Sequence, residues 1–187
     1  AGPRYAEFLA LAAVDRGDTF TAEEMRQATA LLPLAGLVSS LYALARSAEG
    51  AGQRQMEYWT NRISPYLHDV WPKSKGLLTA DLRKAMAELC VAAGDAFPAA
   101  CHDLKGWLCP VQYPELILHR VKAQKICEKF PEAALDFMDR IFADDTDYYG
   151  SLLKECLDAV VKGMPSLGND RRHSRLTLLL RKHGWLD

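Results

Sequence analysis

The sequence has no apolar run approaching the roughly 18–20 residues that cross a bilayer, so no membrane-spanning helix is predicted. It has no glycine-rich phosphate loop, no Gly-x-Ser-x-Gly turn and no His-Glu-x-x-His motif. No alternating run of β-branched residues is bounded by turn signals, so no strand is predicted. The formal charge of −1 leaves no overall field to recruit nucleic acid or an anionic membrane.

Cysteine is scarce and odd in number, with five among 187 residues. Four of them lie on predicted helical stripes beside Leu or Ile, where a free thiol behaves as a small hydrophobic group: Cys90, Cys101, Cys127 and Cys156. No Cys or His spacing matches a zinc site. We therefore expect a reducing, cytoplasmic protein with no disulfide framework, no bound metal and no cofactor.

The chain starts Ala1-Gly2-Pro3-Arg4, without an initiator methionine or the shape of a signal peptide. This start indicates a piece of a longer protein. Its 187 residues are enough for one domain with a sizeable core, and we expect a single domain over 1–187. A linker-like segment, Pro-Lys-Ser-Lys-Gly at 72–76, is the alternative place for a boundary.

Prolines recur at an almost constant interval, with spacings of 32, 33, 33 and 34, at Pro33, Pro65, Pro98, Pro131 and Pro165. Proline is tolerated in the first turn of a helix and costs about 3 kcal/mol in a helix interior. Each proline therefore predicts a helix start. Pro65, for example, is expected to open a short helix after the one that ends at residue 63.

Apolar residues at helical spacing surround these prolines. In the predicted helix over 114–129, Leu116, Ile126 and Cys127 share a stripe that also carries His119. Two amphipathic helices per interval of about 33 residues predict an all-α, HEAT/TPR-like helical repeat, an α-solenoid of stacked helix pairs. The alternative is an irregular helical bundle in which the proline spacing is coincidental.

The C-terminal end is basic, because six Lys or Arg side chains after residue 161 face only two Asp. Five of the six are candidates for nucleic-acid or phosphate contact: Arg171, Arg172, Arg175, Arg181 and Lys182. Basic residues late in a helix also simply complement its dipole, which is the alternative interpretation.

Two further patterns suggest a site. Aromatic and basic residues alternate between 59 and 75 and could stack on bases, although Trp59 also fits a core stripe. His119 lies eight residues before Cys127, which is about 12 Å along a helix and too far for a hydrogen bond. A histidine on an apolar stripe is more often a core residue than a catalytic base.

Several short motifs also resemble those of a known class of proteins: Tyr58-Trp59, Trp71-Pro72-Lys73-Ser74, Ala92 to Pro98, and Phe130-Pro131-Glu132. They resemble the helical C-terminal regions of large bacterial multidomain proteins, some of them suspected of anti-phage defence, with an NTPase or NAD-cleaving domain upstream. The resemblance implies a region that senses or scaffolds while the effector chemistry lies elsewhere.

The sequence therefore predicts a non-catalytic protein-interaction or sensing scaffold within a larger bacterial protein. Its partner would be a protein or another domain of the parent chain, not a membrane. Two alternatives stay open: a nucleic-acid-binding module that uses the basic end, and a small helical enzyme centred on His119.

Overall fold

A computed structural model describes residues 2–15, 21–72, 79–143 and 151–186. Every regular element in these ranges is helical, which confirms the all-α prediction. The chain divides into two compact units, Ala1–Trp107 (unit 1) and Leu108–Asp187 (unit 2).

The described α-helices of unit 1 are α1 (Pro3–Asp15), α2 (Ala22–Ala30), α3 (Leu34–Gly50), α4 (Gln55–Tyr58), α5 (Ser64–Asp69), α6 (Ala80–Ala92) and α7 (Phe97–Leu104). Short 3₁₀ turns cover Gly52–Arg54 and Gly94–Ala96, and a π-helix covers Trp59–Ile63. A capping box begins α2: the Thr21 hydroxyl accepts from the Glu24 amide, and the Glu24 carboxylate accepts from the Thr21 amide.

Small residues bring α1 and α3 close together. A Cβ atom on Gly36 would lie 3.3 Å from the Cβ of Ala6, which is tighter than ordinary contact. Four residues on, the buried Ser40 hydroxyl donates to the carbonyls of Ala6 and Gly36 at 3.1 and 3.0 Å. The opposite side of α3 packs on α6, which explains why α3 is apolar almost all round.

Replacing Gly36 with valine should push α1 off α3. We expect a loss of about 1–3 kcal/mol in the free energy of unfolding of unit 1, because overpacking at a close helix contact forces backbone shifts. The matched control is Ala35→Val, at an exposed neighbouring position, which should cost only about 0.5 kcal/mol through helix propensity. Urea unfolding followed by circular dichroism measures both, and equal losses would contradict the close-packing argument.

Pro65 lies in the first turn of α5, as predicted, but α5 follows the π-helix without a break, so the helical run continues from Gln55 to Asp69. A proline ring clashes with the carbonyl four residues back in a regular α-helix, and proline has no N–H to donate. The run widens just before it: the Ser64 amide donates to the Trp59 carbonyl, five residues back, which is the π-helical pattern. The proline therefore begins α5 directly after a local widening of the helical run.

Gly94 joins α6 to α7 with a left-handed backbone, at φ +55°. A Cβ atom there would lie 2.0 Å from the side-chain oxygen of Gln55, which itself accepts from the Asp95 amide at 3.2 Å. Glycine adopts this backbone conformation without strain and leaves room for the Gln55 amide.

The described α-helices of unit 2 are α8 (Glu115–Ala123), α9 (Ile126–Lys129), α10 (Pro131–Ile141), α11 (Leu152–Gly163) and α12 (Arg171–Lys182), with a 3₁₀ turn over Pro165–Asn169. Helix α11 packs against the other four, and α10 packs against α12. The core of this unit includes Phe137, Phe142 and Leu153, which are at most 1% exposed.

The single helix predicted over 114–129 is two helices, α8 and α9. Lys125 between them has a left-handed backbone, at φ 55°, so the helical phase restarts after it. The buried side of α8 carries Ile117, Leu118 and Val121, while Leu116 is 62% exposed. The predicted core stripe through Leu116 and His119 is therefore wrong, because a stripe drawn through the break follows the wrong phase.

Other proline predictions are confirmed at the level of single helices. Pro98 and Pro131 lie in the first turns of α7 and α10, Pro33 is the N-cap of α3, and Pro165 begins the last 3₁₀ turn. The repeat of stacked helix pairs stays a prediction. The alternative boundary at 72–76 falls largely on residues outside the described ranges, and unit 1 extends across it because α3 packs on α6.

Candidate functional site

Two of the predicted phosphate-contacting arginines are engaged inside unit 2. Arg175 donates to the Asp139 carboxylate at 2.7 Å, and also to the carbonyls of Asp139 and Phe142 at 2.5 and 3.0 Å. Arg172 donates to Asp170 at 2.8 Å and to Glu132 at 2.6 Å. The Arg172 hydrogen bonds lower the pKa of Asp170 to about 2. These two side chains hold α12 against α10.

The rest of the basic end lies on the surface, since Arg171, Arg181 and Lys182 are all exposed. The predicted patch is thus divided into two arginines that are paired with carboxylates and three cations at the two ends of α12. A phosphate-binding surface on α12 would have to use exposed cations such as Arg171 and Arg181, because Arg172 and Arg175 are already matched by acidic groups.

His119 is exposed on the outer side of α8, and it makes no side-chain hydrogen bond or ion pair with any other described residue. The enzyme alternative required this imidazole to lie in a pocket beside a second polar group. Its surface position gives that alternative no support.

The aromatic residues of the second predicted patch are core residues. Trp59, Tyr66 and Trp71 are at most 3% exposed, so they offer no face on which a base could stack. The two lysines of that patch, at 73 and 75, fall outside the described residues. Arg62, in contrast, is exposed and takes part in a different site.

A cleft of about 610 Å³ opens in unit 1 where α1 and α3 end and the π-helix begins, and we call it the Tyr58 cleft. Its volume lies within the range of about 300–1,000 Å³ typical of ligand pockets. Its polar side chains are Asp15, Ser47, Arg54, Glu57, Tyr58, Asn61 and Arg62. A smaller cleft of about 250 Å³ shares Asn61 and Arg62 with it.

Hydrogen bonds fix the phenol of Tyr58 in the cleft. Its oxygen lies 2.9 Å from the Asp15 carboxylate and 2.5 Å from the Ser47 hydroxyl. The carboxylate only accepts, so Tyr58 donates to Asp15 and accepts from Ser47. Burial, together with the Asp15 contact, raises the pKa of Tyr58. The phenol therefore stays protonated at neutral pH and cannot act as a base toward Ser47.

The π-helix positions the opposite wall of the cleft, because it carries Asn61 and Arg62. It is anchored by Trp59, which is 1% exposed and donates its indole N–H to Asp103 at 2.9 Å. The other Asp103 oxygen lies 3.4 Å from the ring of His68. One carboxylate thus links the π-helix, α5 and α7.

The two arginines of the cleft, Arg54 and Arg62, make no ion pair and no side-chain hydrogen bond with another described residue. In the same unit, Arg26 is paired with Glu23 and Arg46 with Glu7. A guanidinium carries five donors suited to a carboxylate. The cleft can therefore accept a carboxylate, while Asp15 and Glu57 in its wall favour a ligand that also bears a donor or a positive group.

Sequence reasoning missed this cleft because its residues come from α1, α3 and the run after it, which no local pattern connects. One signal was available: Pro65 follows directly on the helix predicted to end at residue 63, and helices distort at prolines and at π-bulges. Such π-helical segments are frequent at functional sites.

Comparison with known proteins gives one relative to report. A stretch of 127 residues is 31% identical to a Sinorhizobium fredii protein named "Uncharacterized protein y4cA". The alignment covers 67% of this chain and 11% of that protein, so the chain corresponds to a small part of its relative. No family model and no solved structure matches the chain. In the described ranges, no helix is both long enough and apolar enough to cross a membrane.

Proposed function

We propose that this chain is a non-catalytic interaction module of a larger bacterial protein, and that the Tyr58 cleft receives a polypeptide segment of a partner or of the parent chain. The observation that carries the proposal is the pair of arginines, Arg54 and Arg62, which line a cleft without an ion partner among the described residues. A segment with an Asp or Glu side chain matches them.

The alignment covers only a small part of the relative, which supports a role for this chain as one module of a larger protein. The chain aligns with 11% of a much longer protein, in which other regions would supply any chemistry. The same proposal includes a cytoplasmic setting, a role in anti-phage defence and a scaffold of stacked helix pairs. These parts of it are based on the sequence resemblance and on the proline spacing. Stacked helices suit such a role because they present extended binding surfaces.

An apolar anchor for the same segment lies on α1. Tyr5 and Phe8 are 51% and 66% exposed, one turn apart on that helix. Phe8 is seven residues before Asp15, hence on the same side of α1 and about 10 Å from the cleft along the helix axis. Interfaces commonly combine such an aromatic anchor with a nearby charged contact. The segment would therefore carry an apolar residue about 10 Å from a carboxylate.

Photo-cross-linking in the native bacterium tests this proposal. A benzophenone amino acid in place of Phe8 should link to one defined peptide that carries Asp or Glu near an apolar residue. Arg54→Glu with Arg62→Glu should lower the yield at least about tenfold, because the carboxylate contact becomes a repulsion. The control position is Leu178 of unit 2, which is equally exposed at 65%. The same peptides from Leu178, or a yield indifferent to both arginines, would refute the role of the cleft.

A further inference from the structure

Four of the five cysteines form two pairs of buried neighbours, one pair within each unit. In unit 1, the Sγ atoms of Cys90 on α6 and Cys101 on α7 are 3.3 Å apart. In unit 2, Cys127 on α9 and Cys156 on α11 are both buried on helices that pack against each other, and Cys156 raises the pKa of Cys127. All four side chains are at most 5% exposed, while Cys109 is half-buried and outside both pairs.

We propose that each pair is a dithiol that closes to a disulfide under a peroxide oxidant, linking α6 to α7 and α9 to α11. The sulfurs of the first pair need to approach by only roughly 1.3 Å to reach bonding distance. Both pairs join neighbouring helices within a unit, so closure needs no rearrangement between units. This inference stands independently of the Tyr58 cleft.

The chemistry balances with hydrogen peroxide as the oxidant. One thiol takes an oxygen atom from the peroxide, which gives a sulfenic acid and one molecule of water. The neighbouring thiol then attacks that sulfur, the S–S bond forms and a second water leaves. Two thiols are oxidised by two electrons in total, and the peroxide is reduced to two molecules of water.

Burial makes the reaction slow without preventing it. Desolvation, with the neighbouring Cys101, raises the pKa of Cys90, and the neighbouring Cys156, with burial, raises the pKa of Cys127. Since the thiolate is the reactive form, the rate should increase steadily from about pH 7 to about pH 9. A small neutral oxidant is required, because a bulky disulfide cannot reach sulfurs inside the core.

The alternative interpretation is that the four thiols are only small hydrophobic residues of the core. The two interpretations differ in what the native protein does with peroxide. Tryptic peptides distinguish the two interpretations, because each bridge would give a different product. Cys90 and Cys101 share one peptide, 85–105, whereas Cys127 and Cys156 lie on separate peptides, 126–129 and 155–162.

The folded protein is treated with hydrogen peroxide, then unfolded, alkylated and digested. We expect peptide 85–105 to lose two hydrogen atoms and escape alkylation, and peptides 126–129 and 155–162 to appear joined. The Tm of the oxidised protein should rise by on the order of 10 °C, because each bridge constrains the unfolded chain. Cys101→Ala should leave Cys90 open to alkylation and leave the second bridge intact.

Two results would overturn the inference. One is that all four paired cysteines remain open to alkylation after an exposure that has fully oxidised Cys109. The other is that bridges form only in unfolded protein, or that Cys109 is joined to the other cysteines as often as they are joined within their pairs. If Cys101→Ala does not fold, the peptide pattern of the unchanged protein still decides between the interpretations.

Discussion

Trp59→Ala should lower the free energy of unfolding of unit 1 by about 3–5 kcal/mol, the range typical of removing a buried aromatic side chain. Trp59 is 1% exposed, so alanine leaves a cavity in the core. The substitution also removes the indole donor from Asp103, whose carboxylate is only 12% exposed. A carboxylate that loses a donor in such a position adds to the cost.

The matched control is Trp59→Phe, which keeps most of the packing and loses the hydrogen bond. We expect it to cost about 1–2 kcal/mol, so the difference between the two variants measures the cavity. Urea unfolding followed by far-ultraviolet circular dichroism reports both values without relying on tryptophan fluorescence. If Trp59→Ala cost no more than Trp59→Phe, the side chain would not be the anchor of the π-helix.

Arg175→Ala should destabilise unit 2 by about 2–3 kcal/mol, because its guanidinium satisfies one carboxylate and two carbonyls at the C-terminal end of α10. Both Arg175 and Asp139 are only 28% exposed, so solvent replaces those bonds poorly. The matched control is Arg171→Ala on the same helix, which is exposed and should change stability by less than about 0.5 kcal/mol. Guanidinium unfolding curves of the three proteins provide the comparison.

Arginine variants of α12 also test the nucleic-acid alternative. If α12 contacts phosphates, Arg171→Ala and Arg181→Ala should weaken the binding of a labelled duplex and reduce its salt dependence. Arg175→Ala should act on stability and not on binding, because its side chain is already matched by Asp139. A large loss of binding in Arg175→Ala protein that remains folded would contradict the structural role given to this residue.

The helical content of the chain could be predicted because it follows from local sequence patterns. Thr21 with Glu24, and the prolines at 98 and 131, act through their own backbone geometry within one turn. The break at Lys125 carries no such signal, since neither glycine nor proline marks it. A stripe drawn through it placed Leu116 and His119 in the core, although the phase of α8 turns both outward.

The pairing of the basic end could not be predicted for a different reason. Arg175 and Asp139 are 36 residues apart, and only the packing of α12 on α10 brings them together. The sequence gives the number of basic and acidic residues, but it does not show which of them form ion pairs. The Tyr58 cleft has the same origin, because Asp15 and Tyr58 meet through the packing of helices that are separated in sequence.

Gly94 and Gln55 have a consequence for finding relatives of unit 1. The amide group of Gln55 occupies the space that a side chain at position 94 would need, and the backbone there is left-handed. A homologue that keeps this joint is expected to combine a hydrogen-bonding residue at the first position with glycine about forty residues later, because the left-handed backbone favours glycine. That two-position signature, which leaves the intervening sequence free to vary, is a search criterion for distant members that overall identity would not find.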